Sequence, residues 1–281
     1  MQHTEKLNLI SLITHELKND TLELPTLPIV AKNIREALSY SPHISAWEIA
    51  DIVSTDPAIA IYLIKVANSP LYSPRGRKLS GIKQAISILG NARTVSLITA
   101  YSIKQIFESS YQSYTNYFND TLQHTLSVSS ICRGMALFSP DLDPDKAMLA
   151  GLVHQIGKLP VLKFLSHARI RLSEVQTNTI LTETHPHIGQ LILQKWDFPD
   201  ELIKVPAEYL HFHRNDSAAV DYTDVVTTAY LQECVNSSHP HGSIDWSEVP
   251  AFTKLGLSPE FNELTNEEII KEINNAHTTF M

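Results

Sequence analysis

Apolar residues in this chain recur at three- and four-residue spacing, the pattern of helices that bury one face. Leu9, Leu12, Ile13 and Leu17 put such a stripe on a first helix, which the two prolines of the stretch ELPTLP (23–28) bring to an end. Ile29, Ile34 and Leu38 mark the next, expected to stop near Ser41-Pro42. Ser45 with Glu48 three residues on predicts a capping box and a third start. Asp56-Pro57 predicts a fourth, with Asp as cap and Pro at the first helical position. The stretch it opens, AIAIYLIKVA, is apolar nearly all round and so is expected to be buried. It stops at Asn68-Ser69-Pro70. Ile82, Ala85, Ile86 and Leu89 form a further stripe closed by Gly90, either a C-terminal cap or a close-packing position, before a long amphipathic stretch to about Phe107.

The second half is expected to hold helices at 118–138, 144–155, 187–196, 199–208 and 220–236, then short ones around 245–255 and 260–275. Asp143-Pro144 starts the second of these and Gly157 is read as its end. No strand-like alternation with hairpin turns and no fixed-period repeat stands out, so the predicted class is all-α. The polar, tyrosine-rich segment 109–117 is the best linker candidate. It divides the chain into a helical lobe (1–112), a second lobe (113–238) and a C-terminal extension (239–281).

Composition narrows the partners. With 281 residues, 43% hydrophobic and 19% charged, the chain can bury a sizeable core. A net charge of −8 argues against nucleic acid, because phosphate binding needs a concentrated basic face. The densest basic stretch, Arg75-Gly76-Arg77-Lys78, reads as a solvated loop. Cys132 and Cys234 are far apart, with no CxxC pair and no disulfide framework, which fits a reducing compartment. The N-terminus lacks a signal-peptide core, and no apolar run approaches the roughly 20 residues of a membrane span. A cytoplasmic protein without membrane contact is the expectation.

Two motif sets carry a resemblance. The first half has Leu24-Pro25-Thr26-Leu27-Pro28, Asp56-Pro57-Ala58-Ile59-Ala60, Leu63-Ile64-Lys65-Val66-Ala67-Asn68-Ser69 and Ala85-Ile86-Ser87-Ile88-Leu89-Gly90. The second has His124, AGLVHQIGK (150–158), His185-Pro186-His187-Ile188-Gly189 and Trp196-Asp197-Phe198-Pro199. In order and spacing these resemble the HDOD family, the HD-related output domain of bacterial signalling proteins, over roughly residues 20–215. The resemblance implies a two-lobed, all-helical bundle with an HD-like second lobe. It also implies a regulatory or adaptor role, in a family related to metal-dependent HD phosphohydrolases.

Carried onto this chain, the HD metal set falls on His124, His154, Gln155 and Asp224. Imidazoles suit divalent metals such as Fe, Mn, Ni or Zn, carboxylates neutralise and bridge them, and the bound water becomes the nucleophile. Three positions agree with that set. Gln155 departs from it, since a neutral amide is a weaker ligand and a poor bridge. His211 and His213 are spaced where related proteins carry an adjacent His-His, and Pro206 interrupts the helix before them.

Each residue also has a structural explanation. His124 lies at helical spacing from Val128, Ile131 and Met135 as a core histidine, and His154 sits in a last helical turn. His185 and His187 flank Pro186 at an expected helix start, exposed there. His239-Pro240-His241 reads as a surface turn, and Asp224 as a first-turn acid. The expectation is therefore a non-catalytic signalling or adaptor module with a separate signalling protein as partner and no required cofactor. A divalent metal at a remnant site of His124, His154 and Asp224 stays open. The alternatives are a metal-dependent phosphohydrolase acting on a nucleotide or other phosphate ester, and a nucleotide-binding sensor without hydrolysis. An acid at position 155 is expected to meet Asp224, costing stability without metal and gaining affinity for it.

Overall fold

Capping chemistry sets several of the helix starts in a computed structural model that describes residues 3–19, 21–40, 44–73, 78–108, 114–215, 217–235, 239–257 and, in the tail, 267, 270, 271, 273 and 274. The first half folds as α1 (His3–Lys18), α2 (Ile29–Tyr40), α3 (Ala46–Val53), α4 (Pro57–Ala67), α5 (Ile82–Leu89) and α6 (Asn91–Glu108). Ser45 and Glu48 form the reciprocal capping box on α3. The Asp56 carboxylate caps α4 by accepting from the N–H groups of Ala58 and Ile59 at 2.9 and 3.2 Å. Gly90 has φ 78°, with open space where a Cβ would point, so it is the C-terminal cap of α5.

The second half holds α7 (Thr115–Ala136), α8 (Pro144–Val153), α9 (Lys158–His167), α10 (Glu174–Lys195), α11 (Asp200–Ile203), α12 (Val205–Glu208), α13 (Tyr222–Val235) and α14 (Pro250–Lys254). Single 3-10 turns lie at Pro240–Ser243 and Trp246–Glu248. There is no strand among the described residues, and no helix of theirs is long and apolar enough to cross a membrane. The class is all-α. The long helix α7 packs along α8 and against α13, while α6 crosses both α7 and α8. Helix α1 packs on α10 of the second lobe. Buried apolar side chains form one cluster that runs from Leu9 through Ile98 and Val153 to Phe252. Neither Cys132 nor Cys234 is in a disulfide, and both are buried.

Polar contacts tie the lobes together at defined points. Arg93 on α6 donates to the Asp145 carboxylate on α8 at 2.8 Å, and Arg133 on α7 lies 3.5 Å from the other oxygen. Arg133 also donates to the Tyr72 hydroxyl at 3.3 Å. Trp196 donates to the Pro25 carbonyl at 3.1 Å, which fixes the extended segment after α1 to the end of α10.

Several expectations change. Helix α10 begins at Glu174, behind a Ser173–Gln176 capping box, and carries Pro186 inside it. The proline therefore does not mark a start. His185 is 1% exposed in mid-helix, whereas His187 is exposed. Helix α9 is an addition that Gly157 and Pro160 concealed: α8 does end before Gly157, at Val153, but Gly157 lies in a tight turn with φ −66° and is the N-cap of the next helix. The expected helix 199–208 is two single turns, with Pro206 in the second. Helix α4 buries Ile59, Leu63 and Val66 but leaves Ile61 67% exposed, so it is amphipathic. Segment 109–113, residues 75–77 and most of 260–275 lie outside the described residues.

Candidate functional site

His154 is the C-terminal cap of α8, fully buried, and its ring Nδ1 lies 2.6 Å from the Gly151 carbonyl oxygen. A carbonyl can only accept, so Nδ1 carries the hydrogen and Nε2 presents a lone pair. The structural reading of His154 is thus right in kind, although it serves the helix end by a hydrogen bond from a neutral ring. Burial, with a smaller push from the neighbouring Lys158 charge, takes its pKa down to about 3, so the ring is neutral. His124, partly buried on α7, approaches with its Nε2 3.4 Å from His154 Nε2. Since His154 Nε2 must accept, His124 is the donor. Burial, followed by the neighbouring His154, also holds His124 well below the usual imidazole range.

His185 repeats the arrangement. Its Nδ1 donates to the Leu181 carbonyl at 2.7 Å, and its Nε2 lies 2.9 Å from the Tyr209 hydroxyl. The hydroxyl must then donate to His185. Burial drives His185 down to about 3, so it too is neutral. Tyr209 is 1% exposed and arrives from the turn after α12, where Pro206 has just broken the helix.

Gln155 connects this network to a cation. Its Oε1 accepts from Lys158 Nζ at 2.7 Å, and its Nε2 donates to the Tyr209 oxygen at 3.4 Å. Those two neighbours assign the amide orientation. A directed chain results: Lys158 to Gln155, Gln155 to Tyr209, Tyr209 to His185, His185 to the Leu181 carbonyl. An amide can both accept from an ammonium and donate to a phenol oxygen, whereas an ionised carboxylate can only accept. Gln155 is therefore a working link of the chain. Burial lowers Lys158 to about 8, so the ammonium form still predominates at neutral pH.

Tyr230 on α13 closes the ring of aromatic groups, edge-on to His124 at 5.5 Å and to Tyr209 at 5.2 Å between centroids. Its hydroxyl lies 2.9 Å from His241 Nδ1 and 3.5 Å from His239 Nε2. The His239-Pro240-His241 turn, read as plain surface, thus packs against the cluster.

Asp224 belongs elsewhere. Its carboxylate accepts from Arg214 at 2.9 Å, from Lys254 at 3.3 Å and from the Asp221 N–H at 3.1 Å. It sits in the first turn of α13, six residues before Tyr230, which is roughly 9 Å along the helix axis. The structure brings His124 and His154 together and leaves Asp224 with its own cations. His211 and His213 are exposed, the latter with Nδ1 3.1 Å from the Glu248 carbonyl.

These donors do not fit the divalent ion that the HD relationship implies. The amide is neutral and hydrogen-bonded at both ends, and the carboxylate is paired with two cations. The inward lone pairs of His154 and His185 already accept hydrogen bonds. Among the described residues no three His, Cys, Asp or Glu side chains are grouped to hold a metal. Sequence reasoning missed Lys158, Tyr209 and Tyr230 as site residues. Lys158 was visible in the GLVHQIGK run, but nothing in a sequence says that its amine turns back onto Gln155. Tyr209→Phe removes both a donor and an acceptor from inside the network. It should cost about 2 kcal/mol, because Gln155 and His185 are each left with a buried unpaired group. Urea denaturation of the two proteins checks this.

A helical bundle whose second lobe keeps an HD-like histidine pocket is an HD-related fold. The HDOD domain model matches residues 24–212, and the chain belongs to the HDOD family. Comparison with curated proteins gives no match. Among solved structures, a Shewanella amazonensis SB2B protein named "putative metal-dependent phosphohydrolase" superposes with TM-score 0.84 at 26% identity, over 99% of this chain and 100% of that one. An HDOD domain protein with unknown function from Geobacter sulfurreducens gives 0.68 at 19% identity, over 99% and 96%. A Marinobacter aquaeolei VT8 protein named "putative signal transduction protein" gives 0.59 at 20%, over 93% of this chain and 60% of that longer one. The last two show the shared fold.

Proposed function

We propose that this chain is a regulatory HDOD module that acts through contacts with a separate signalling protein in the cytoplasm, and that its HD-like pocket is a structural network without catalytic use. One observation carries the reading. The position where an HD enzyme has its acid is Gln155, and both ends of that amide are committed, to Lys158 and to Tyr209. A metal-bound hydroxide needs anionic ligands around its ion. The only carboxylate carried over from the HD set, Asp224, is neutralised by Arg214 and Lys254. Membership of the HDOD family supports the same reading, since the family is one of signalling output domains.

The test is hydrolysis. Purified protein with Mn²⁺, Fe²⁺, Ni²⁺ or Mg²⁺ should not turn over phosphomonoesters, phosphodiesters or cyclic dinucleotides above the buffer rate. Turnover that disappears in His154→Ala would move the protein to the phosphohydrolases.

A further inference from the structure

A cavity of about 840 Å³ lies at the seam of the two lobes, within the roughly 300–1,000 Å³ of small-molecule sites. None of its walls belongs to the histidine network. The extended segment before α2, α2 itself and α6 form one side, and the end of α10 forms the other. Leu22, Leu38, Val95 and Trp196 make it partly apolar. Trp196 is anchored there, since its indole N–H donates to the Pro25 carbonyl.

Arg35 adds a prepared charge. Its guanidinium carbon stands 4.4 Å from the centroid of the Phe198 ring, and the group donates to the Asp197 backbone carbonyl. Both partners come from the turn that ends α10. Asp197 makes that turn with φ 55°, a left-handed conformation that disfavours residues with a side chain. A long side chain held in this way loses little further freedom when it grips a ligand. A guanidinium carries five N–H donors in a fixed fork, so it can hold a carbonyl and an anionic oxygen together. Lys32 and Lys195 also line the cavity, with Glu23, Glu36 and Asp197. Glu36 is paired with Lys32 at 3.6 Å, and Glu23 with Lys163. Arg35 and Lys195 against Asp197 then give the mouth an excess of positive charge. We infer that this cavity binds a small amphipathic anion, its apolar body against Trp196, Leu38 and Val95 and its carboxylate- or sulfonate-like head on Arg35. The walls come from both lobes, so occupancy favours this arrangement of the lobes. In the regulatory module proposed above such a ligand is an input signal, although its binding does not depend on that reading.

The test uses anilinonaphthalene sulfonate and its neutral parent, phenylnaphthylamine, which lacks only the sulfonate. Each is titrated into full-length protein while NMR follows the indole N–H signals of Trp47, Trp196 and Trp246. The sulfonate should shift Trp196 saturably, with one probe per chain, and leave the buried Trp246 unmoved. The neutral probe should bind at least tenfold more weakly, as should the sulfonate to Arg35→Gln. Val95→Phe, which narrows the cavity, should weaken both probes. A silent Trp196, or a response centred on the exposed Trp47, overturns the inference. Equal affinity for the two probes does so as well, because the head group would then select nothing. Unchanged binding in either folded variant has the same force. If a variant does not fold, the two probes on the wild type decide. Hydrolysis of phosphate esters by the wild type would remove the regulatory reading and leave this site in place.

Discussion

Lowering the pH from 7.5 to 5 should cost this protein about 4 kcal/mol or more of stability from two buried histidines alone, a large share of the roughly 5–15 kcal/mol that keeps a typical domain folded. His154 and His185 are buried and neutral, with pKa values pushed down to about 3. In the unfolded chain the same rings titrate near 6.5. Between those values the unfolded state binds more protons than the folded one, so stability rises with pH and falls as acid is added. Each ring contributes about 2 kcal/mol over this range. Carboxylates enter later. Asp221, despite a burial that raises it, is held at about 2 by hydrogen bonds from Arg214 and Lys204, so its contribution is lost only below the usual carboxylate range. Urea denaturation at pH 7.5, 6.5, 5.5 and 5 measures the slope. A folded His185→Gln variant should lose about 2 kcal/mol of the pH dependence. A flat profile above pH 5 would show that the rings are solvated or charged in the native state.

Gly157→Ala should cost about 3 kcal/mol or more, enough to leave the protein largely insoluble. An added Cβ would stand 2.6 Å from the Gly189 nitrogen and 2.9 Å from the His185 carbonyl carbon, and closer still to the His185 carbonyl oxygen. All of these are backbone atoms, so no rotamer change relieves the clash. The corner between α8 and α9 would have to move off α10, carrying Lys158 and Gln155 with it. Since Gly157 has φ −66°, alanine's backbone preference is not the issue. Gly90→Ala is the control. There the space is open but φ is 78°, so the loss should be about 1 kcal/mol, from strain alone. Expression yield and chemical denaturation of the two variants separate the causes.

Periodicity and caps made much of the fold legible, because an apolar stripe and an Asp-Pro or Ser-x-x-Glu start are local signals. Helices α3, α4, α5 and α7 are where their residues say. The failures are tertiary. Pro186 reads as a boundary, yet α10 runs through it, with His185 donating from its side chain to the Leu181 carbonyl and its ring shut inside the bundle. Gly157 reads as a stop because a glycine chosen for a close approach looks the same in sequence as one chosen for positive φ. The candidate site was half visible. The pairing of His124 with His154 follows from motif order, but two facts needed the fold. Asp224 faces Arg214 and Lys254, and Gln155 is fixed by a lysine three residues on and a tyrosine 54 residues away.

Elemental analysis tests the central claim most directly, that the HD-like pocket is held together by its own hydrogen bonds and needs no metal. Protein expressed in medium supplemented with iron, manganese, nickel and zinc, and purified without chelator or affinity metal, should carry far less than one equivalent of any of them. Its melting temperature should be unchanged by chelator. One equivalent of a transition metal per chain, lost together with stability in His154→Ala, would contradict the account.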